Sequence, residues 1–167
     1  LCKPIEPQRV VKIREQVLQR LAADLEHKVH TAYCENNIRD AFSIEGEAIS
    51  ERELKNTCLQ LLVATRKPKY YDLARIQYEN AHNMTDRLAA FGALLHSHCE
   101  AKEEIIADFY SNWQHDTLVL DKWFAVQAMA PHGVVHNEDI LSRVISLMNH
   151  SAFSISNPNK VRSLIGA

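Results

Sequence analysis

The chain has 167 residues, 46% of them hydrophobic and 24% charged, with a formal net charge of -2. That length allows a sizeable core, and the near-neutral balance gives no support to a nucleic-acid or acidic-membrane partner. No apolar run approaches the ~20 residues of a membrane-spanning helix, and with only 4 glycines and 5 prolines to interrupt it the composition points to an all-helical chain.

Residues 6–36 read as one long first helix, opened near Pro4 and Pro7 and stopped at Asn36-Asn37. Val10, Ile13, Val17, Leu21, Leu25 and Val29 recur at intervals of three and four and form one apolar stripe. Arg14, Glu15, Gln19, Asp24, Glu26 and Lys28 fill much of the remainder. Residues 38–46 are a connection. A second helix over 47–66 turns Ile49, Leu54, Cys58, Leu61 and Leu62 inward, and Pro68 opens a third, to residue 80, carrying Tyr71, Leu73, Ile76 and Tyr78.

Ala81-His82-Asn83-Met84-Thr85-Asp86 is the clearest internal boundary. Asn83 suits an N-cap, and Asp86, three residues on, reaches back or favours the positive helix end. The fourth helix runs through Leu88, Phe91, Leu94 and Leu95, and its Ala89-Ala90 and Gly92-Ala93 steps admit a close neighbour. A fifth over 100–113 presents Ile105, Ile106, Phe109 and Trp113. A sixth over 117–129 presents Leu118, Leu120, Trp123, Phe124 and Val126, and ends at Pro131-His132-Gly133. Asn137-Glu138-Asp139 starts a seventh, with Ile140, Leu141, Val144, Ile145 and Met148 as its apolar residues. The eighth is signalled by Asn157 as N-cap and Pro158 at the first helical position, with Val161, Leu164 and Ile165 on its buried face.

That last helix stops at Ala167 after about two turns, too short to be stable alone, and the chain starts with Leu1 rather than Met. The expectation is an excised piece of a longer helical domain. The predicted fold is all-α: about eight helices in an irregular α-solenoid, a stack of helical hairpins forming one domain over 1–167, without a fixed-period repeat.

Chemistry-bearing patterns are sparse. His27, His30 and Cys34 share one face of the first helix at metal-ligand spacing, but no second ligand cluster accompanies them. Glu79-x-x-His82 is a single copy of an element that a di-iron site needs twice. His96, His98 and Cys99 gather at a helix end, where histidine suits the negative terminus. His132 and His136 flank a loop, and Arg66-Lys67-Pro68-Lys69 reads as a solvated turn rather than a nucleic-acid patch. There is no H-E-x-x-H, G-x-S-x-G or phosphate-cradling glycine loop. The chain thus offers no catalytic residues and no metal site. The four cysteines, Cys2, Cys34, Cys58 and Cys99, include no C-x-x-C pair and are expected to be reduced, in keeping with a cytoplasmic location.

Three motifs carry a resemblance: Ala81-His82-Asn83-Met84-Thr85-Asp86, then Asp121-Lys122-Trp123-Phe124, then Asn157-Pro158-Asn159-Lys160-Val161-Arg162-Ser163-Leu164-Ile165-Gly166-Ala167. In order and separation they resemble the C-terminal helical domain of the bacterial aminopeptidase N family of zinc aminopeptidases. The match is good over 45–167 and looser over the first helix. The resemblance implies a parent enzyme that removes N-terminal residues from peptides with one zinc ion, held in a catalytic domain outside this chain. This part would then be non-catalytic: it would cover the substrate chamber, limit access, and have the catalytic domain as its partner. In the family's Asn-Pro-Asn-basic-x-Arg pattern the second basic residue faces the catalytic side. That position is Arg162, whose guanidinium would pair with a substrate carboxylate or an acidic residue of the catalytic domain. Lys160 stands where the family often has arginine and is the second candidate contact. The alternative reading is a free-standing α-solenoid interaction module.

Overall fold

The computed structural model describes residues 6–37, 42–131 and 139–167. Among these, nine α-helices and no strand are found. They are α1 (Pro7–Asp24), α2 (Glu26–Glu35), α3 (Gly46–Ala64), α4 (Pro68–Asn80), α5 (Met84–Leu95), α6 (Lys102–Trp113), α7 (Thr117–Ala128), α8 (Ile140–Met148) and α9 (Pro158–Leu164). The all-α expectation holds, with one helix more than predicted. The extra one arises because the first predicted helix breaks at Leu25, which leaves helical geometry at φ -105, ψ 7. No glycine or proline marks this break. The carboxylate of Glu26, the next residue, is bound by Lys67, Lys69 and Tyr70 at the start of α4, so tertiary contacts fix the direction of α2.

Helix ends follow local chemistry. Asp116 caps α7 by accepting from the amides of Leu118 and Val119 at 3.0 and 3.1 Å. Asp139 caps α8 through Ser142, and Asn157 caps α9 through Asn159 and Lys160. Pro68 and Pro158 stand in the first turns of α4 and α9 as predicted. At the C-terminus of α3, Arg66 takes a left-handed φ of 62° while its amide donates to Val63 O.

The chain forms two compact units, Leu1–Ala90 and Phe91–Ala167. In the first, α1, α2 and α4 pack on α3, around Tyr33, Leu59, Leu62, Tyr70, Ala74 and Tyr78. In the second, α6, α8 and α9 pack on α7. Phe91 stacks on Phe109 with ring centroids 4.4 Å apart, and the Trp123 indole donates to Ile106 O at 3.1 Å.

The predicted buried faces need correction on three helices. Val10, Ile13, Val17 and Leu21 of α1 are exposed, Val17 by 59%. On α4 the inward face is Tyr70, Ala74, Gln77 and Tyr78, and Ile76 is exposed. On α8 the apolar face is turned outward, with Leu141 69% exposed, while Arg143 is buried to 1%. The physical reason is specific: the Arg143 guanidinium donates from one nitrogen to Gln127 O and Ala130 O, both at 3.0 Å. Those carbonyls lie at the C-terminal end of α7, where unpaired acceptors and the helix dipole favour a cation. Of the remaining expected inward residues, Ile49, Leu54, Leu118 and Ile165 are exposed as well.

Candidate functional site

Each motif singled out in the sequence is the seat of a buried polar anchor. In the first, Asn83 Oδ1 accepts from the amide of Asp86 at 2.9 Å, and its Nδ2 donates to Asp86 Oδ2 at 2.9 Å. The predicted capping is thus present and reciprocal. Asp86 does more than cap. Lys55 Nζ lies 2.7 Å from Asp86 Oδ2, and Asn56 Nδ2 donates to Oδ1 at 2.9 Å. Gln77 Nε2 donates to Asn56 Oδ1 at 2.8 Å and to Asp86 O at 3.1 Å, and its Oε1 accepts from Tyr33 OH at 3.0 Å. One network centred on Asp86 therefore ties α2, α3, α4 and α5 together: its carboxylate binds α3, its carbonyl binds Gln77 of α4, and Gln77 binds Tyr33 of α2. Burial pushes the Asp86 carboxyl up, but hydrogen bonds from Lys55, Asn83 and Asn56 together outweigh it and hold it below the usual range. The Tyr33 hydroxyl is pushed up to about 12 by burial and by the negative Asp86. A cavity of about 250 Å³ adjoins this network, and its polar wall extends beyond these groups to Asn36, Glu51, Arg52, Asn80 and His82.

The second and third motifs meet each other. Lys160 is buried to 5% and its Nζ lies 2.7 Å from Asp121 Oδ1. The ammonium also reaches Thr117 O at 3.4 Å and sits 5.5 Å from the centroid of the Phe124 ring. Leu164, one turn on, is buried beside it. Arg162 comes two residues after Lys160, about 200° further around a helix of 3.6 residues per turn, and it is exposed. The two sequence-predicted site residues thus part company: Lys160 faces α7, and Arg162 faces away from it into solvent.

The other candidates are not assembled into a site. Cys34 Sγ lies 3.9 Å from His30 Nδ1 on α2, and among the described residues no three His, Cys, Asp or Glu side chains are grouped to hold a metal ion. Glu79 pairs with Arg75 at 2.9 Å. The His96 ring nitrogen Nε2 lies 3.1 Å from Val126 O. Cys2, His132 and His136 lie outside the described residues. Lys67 and Lys69, read from the sequence as a solvated turn, pair with Glu26 and hold its carboxyl down at about 2.

The whole chain, residues 1–167, matches the profile of a family described as a domain of unknown function (DUF3458_C), ARM repeats. The chain belongs to this DUF3458_C family. As an ARM-repeat domain it is a stack of helices of the solenoid class, the architecture expected from the sequence. The domain is 33% identical over 163 residues to aminopeptidase N of Escherichia coli and 33% identical over 165 residues to that of Haemophilus influenzae. These alignments cover 98% and 99% of this chain, so the resemblance extends through α1 and α2 as well as the segment from residue 45. The domain spans only 18% of the length of either relative. Among solved structures it is similar to Legionella pneumophila aminopeptidase A, crystallised in complex with aspartic acid. The TM-score is 0.81 at 27% identity, covering 97% of this chain and 19% of that one.

Sequence reading missed Lys55, Asn56, Gln77 and Tyr33 as members of the Asp86 network, and Arg143 as a core residue of the ARM-repeat domain. Asn56 and Gln77 carried no signal, since isolated amides on helices are ordinarily solvated. Asp121 was legible only as part of a motif, and its pairing with Lys160 needs the fold.

Proposed function

We propose that this domain is the non-catalytic helical part of a zinc aminopeptidase that removes N-terminal residues from peptides in the cytoplasm. The observation that carries the reading is the alignment of nearly the whole chain, at 33% identity, within the much longer aminopeptidase N. Zinc would be held by the catalytic domain of the same polypeptide. The helical array covers the active-site chamber and limits the size of peptide that enters. The three free thiols described, Cys34, Cys58 and Cys99, accord with a reducing compartment.

Within that arrangement Arg162 is the residue of this chain that reaches a neighbour. Its guanidinium is permanently charged, presents a planar fork of donors, and stands on the face of α9 opposite the anchored Lys160. It pairs with a carboxylate brought from outside the chain, either the free C-terminus of a short peptide or an acidic side chain of the catalytic domain. The test is steady-state kinetics of Arg162→Ala in the full-length enzyme. KM for short peptides with a free C-terminus should rise about tenfold, the scale of a lost charged hydrogen bond of about 1.5 kcal/mol. The same peptides as C-terminal amides should be insensitive to the change if the carboxylate is the substrate's. Unchanged kinetics across all peptide lengths would remove Arg162 from the reading. Hydrolysis of alanyl-nitroanilide by the 167-residue chain alone, with stoichiometric zinc bound, would overturn the reading itself.

A further inference from the structure

We infer that Lys160 and Asp121 form a positioning clamp for Arg162: the buried ion pair sets the rotation of α9 about its axis and so the direction in which the Arg162 guanidinium is presented. The inference rests on the proposed role of Arg162 for its functional consequence, and on the geometry of α7 and α9 for its structural one. Helix α9 has seven residues, too few to hold its own conformation in water. Apart from the Asn157 cap, its grip on the rest of the unit comes from one face, where Lys160 and Leu164 are buried and Val161 is half-buried. On that face Leu164 supplies nondirectional contact. Lys160 supplies direction through charge, because its ammonium lies 2.7 Å from Asp121 Oδ1 in an ion pair without hydrogen-bond alignment, 3.4 Å from Thr117 O and over the face of Phe124. Asp121 lies one turn into α7, whose N-terminus is itself fixed by the Asp116 cap. The side chains of the pair are 7% and 17% exposed, so neither charge has full solvation to fall back on if the other is lost. With Lys160 held inward, a residue two positions later can only point outward. Turning α9 by one residue would carry Arg162 about 100° from its direction and draw Lys160 off Asp121. The clamp therefore couples a buried contact inside the domain to the orientation of an exposed cation.

The experiment compares Lys160→Met, Lys160→Arg and Arg162→Ala in the full polypeptide that carries this sequence, using hydrogen–deuterium exchange and peptide kinetics. In Lys160→Met the amides of residues 161–165 should exchange at least tenfold faster, with those of α3 and α4 unchanged. Its KM for short peptides should rise as in Arg162→Ala, with kcat moving less than twofold. The double variant should be no worse than Arg162→Ala alone, because a guanidinium that is absent cannot be misdirected. Lys160→Arg keeps a buried cation opposite Asp121 and should restore both readouts. If Lys160→Met does not fold, Asp121→Asn removes the anion at nearly constant shape and is read in the same way. Unaltered exchange over 161–165, or a KM effect that adds in full to that of Arg162→Ala, would overturn the clamp. If Arg162→Ala itself has no kinetic effect, the proposed role of Arg162 fails, and the exchange data alone decide whether the clamp exists.

Discussion

The most consequential single residue in the first unit is Asp86, because its carboxylate holds α3 on α5, its backbone carbonyl binds Gln77 of α4, and Gln77 carries the network on to Tyr33 of α2. Its charge is balanced by Lys55, and the side chains of both are only 9% exposed. Asp86→Ala would leave the Lys55 ammonium buried without an anion and would unpair Asn56 and Asn83. Breaking a buried pair on one side costs about 3–5 kcal/mol. Urea unfolding should show a loss on that scale, and a loss under about 1 kcal/mol, the size of a surface ion pair, would mean that the network is not a tertiary anchor. The double change Lys55→Met with Asp86→Leu should recover much of the loss, since no charge is then stranded. His150 offers a pH test in the second unit. It lies among Tyr110, Trp123 and Phe124, with ring centroids 4.9, 5.2 and 6.0 Å away. Its Nδ1 accepts from the Ala152 amide at 3.1 Å, which requires that nitrogen to be unprotonated. Burial lowers its pKa from the ordinary 6.5. The unfolded chain therefore takes up this proton at higher pH than the folded one, so stability rises with pH inside the window. The contribution is complete above pH 6.5 and is lost as pH falls through the lowered folded value. Urea midpoints at pH 7.5 and 5.5 should differ in that direction, and His150→Phe, which keeps a ring in the aromatic cluster, should flatten this part of the slope. An equal slope in the variant would clear His150 of the effect.

At the scale of elements, helix existence was legible and helix orientation less so. Caps and prolines are local chemistry, and Asn83, Asp139, Asn157, Pro68 and Pro158 are placed as the sequence signals. Periodicity is also local, but it reports only where an apolar stripe lies. What covers that stripe is a tertiary fact. For α8 the stripe is plain in the sequence, yet the chain buries Arg143 and Leu147 instead, because two carbonyls at the end of α7 accept from the Arg143 guanidinium and no hydrophobic side chain can donate to them. Of the candidate site, Arg162 and Lys160 are singled out through the family motif, whereas the opposite directions they face follow from the 200° between them and the position of Asp121. The end of α3 supplies a prediction at this scale. Arg66 holds a left-handed φ of 62° just past the C-cap, where glycine is the usual residue. A side chain there costs about 1 kcal/mol relative to glycine, and the Arg66 side chain has no role in the Glu26 cluster, which uses Lys67, Lys69 and Tyr70. Arg66→Gly should therefore stabilise the chain by about 0.5–1 kcal/mol. A lower urea midpoint would show that the arginine side chain contributes more than its backbone strain removes.

For the molecule as a whole, the outward apolar faces are the dominant unsatisfied feature. On α1, Val10, Ile13, Val17 and Leu21 are each at least 46% exposed. On α8, Ile140, Leu141, Ile145 and Met148 are each at least 38% exposed. Contiguous apolar patches of this kind are uncommon on free monomers. They are ordinary in ARM-repeat architecture, where a helical unit buries its hydrophobic face only by stacking on a neighbour. Each face thus calls for a covering surface, and a solution of the 167-residue chain alone contains no such surface except other copies of itself. The chain by itself is expected to self-associate at micromolar concentration, and sedimentation velocity should show the mean mass rising with concentration. The association should be driven by these faces rather than by charge, since the net charge is only -2, and should therefore strengthen with added sulfate instead of weakening. Replacing Leu141 and Ile145 by Glu breaks the α8 face, and replacing Ile13 and Val17 by Glu breaks the α1 face. None of the four is in a core, so each pair should shift the distribution toward monomer with little loss of stability. If the chain stays monomeric throughout, the exposed faces are too small or too divided to bind. If it associates but neither pair of changes affects it, the contact lies elsewhere on the surface.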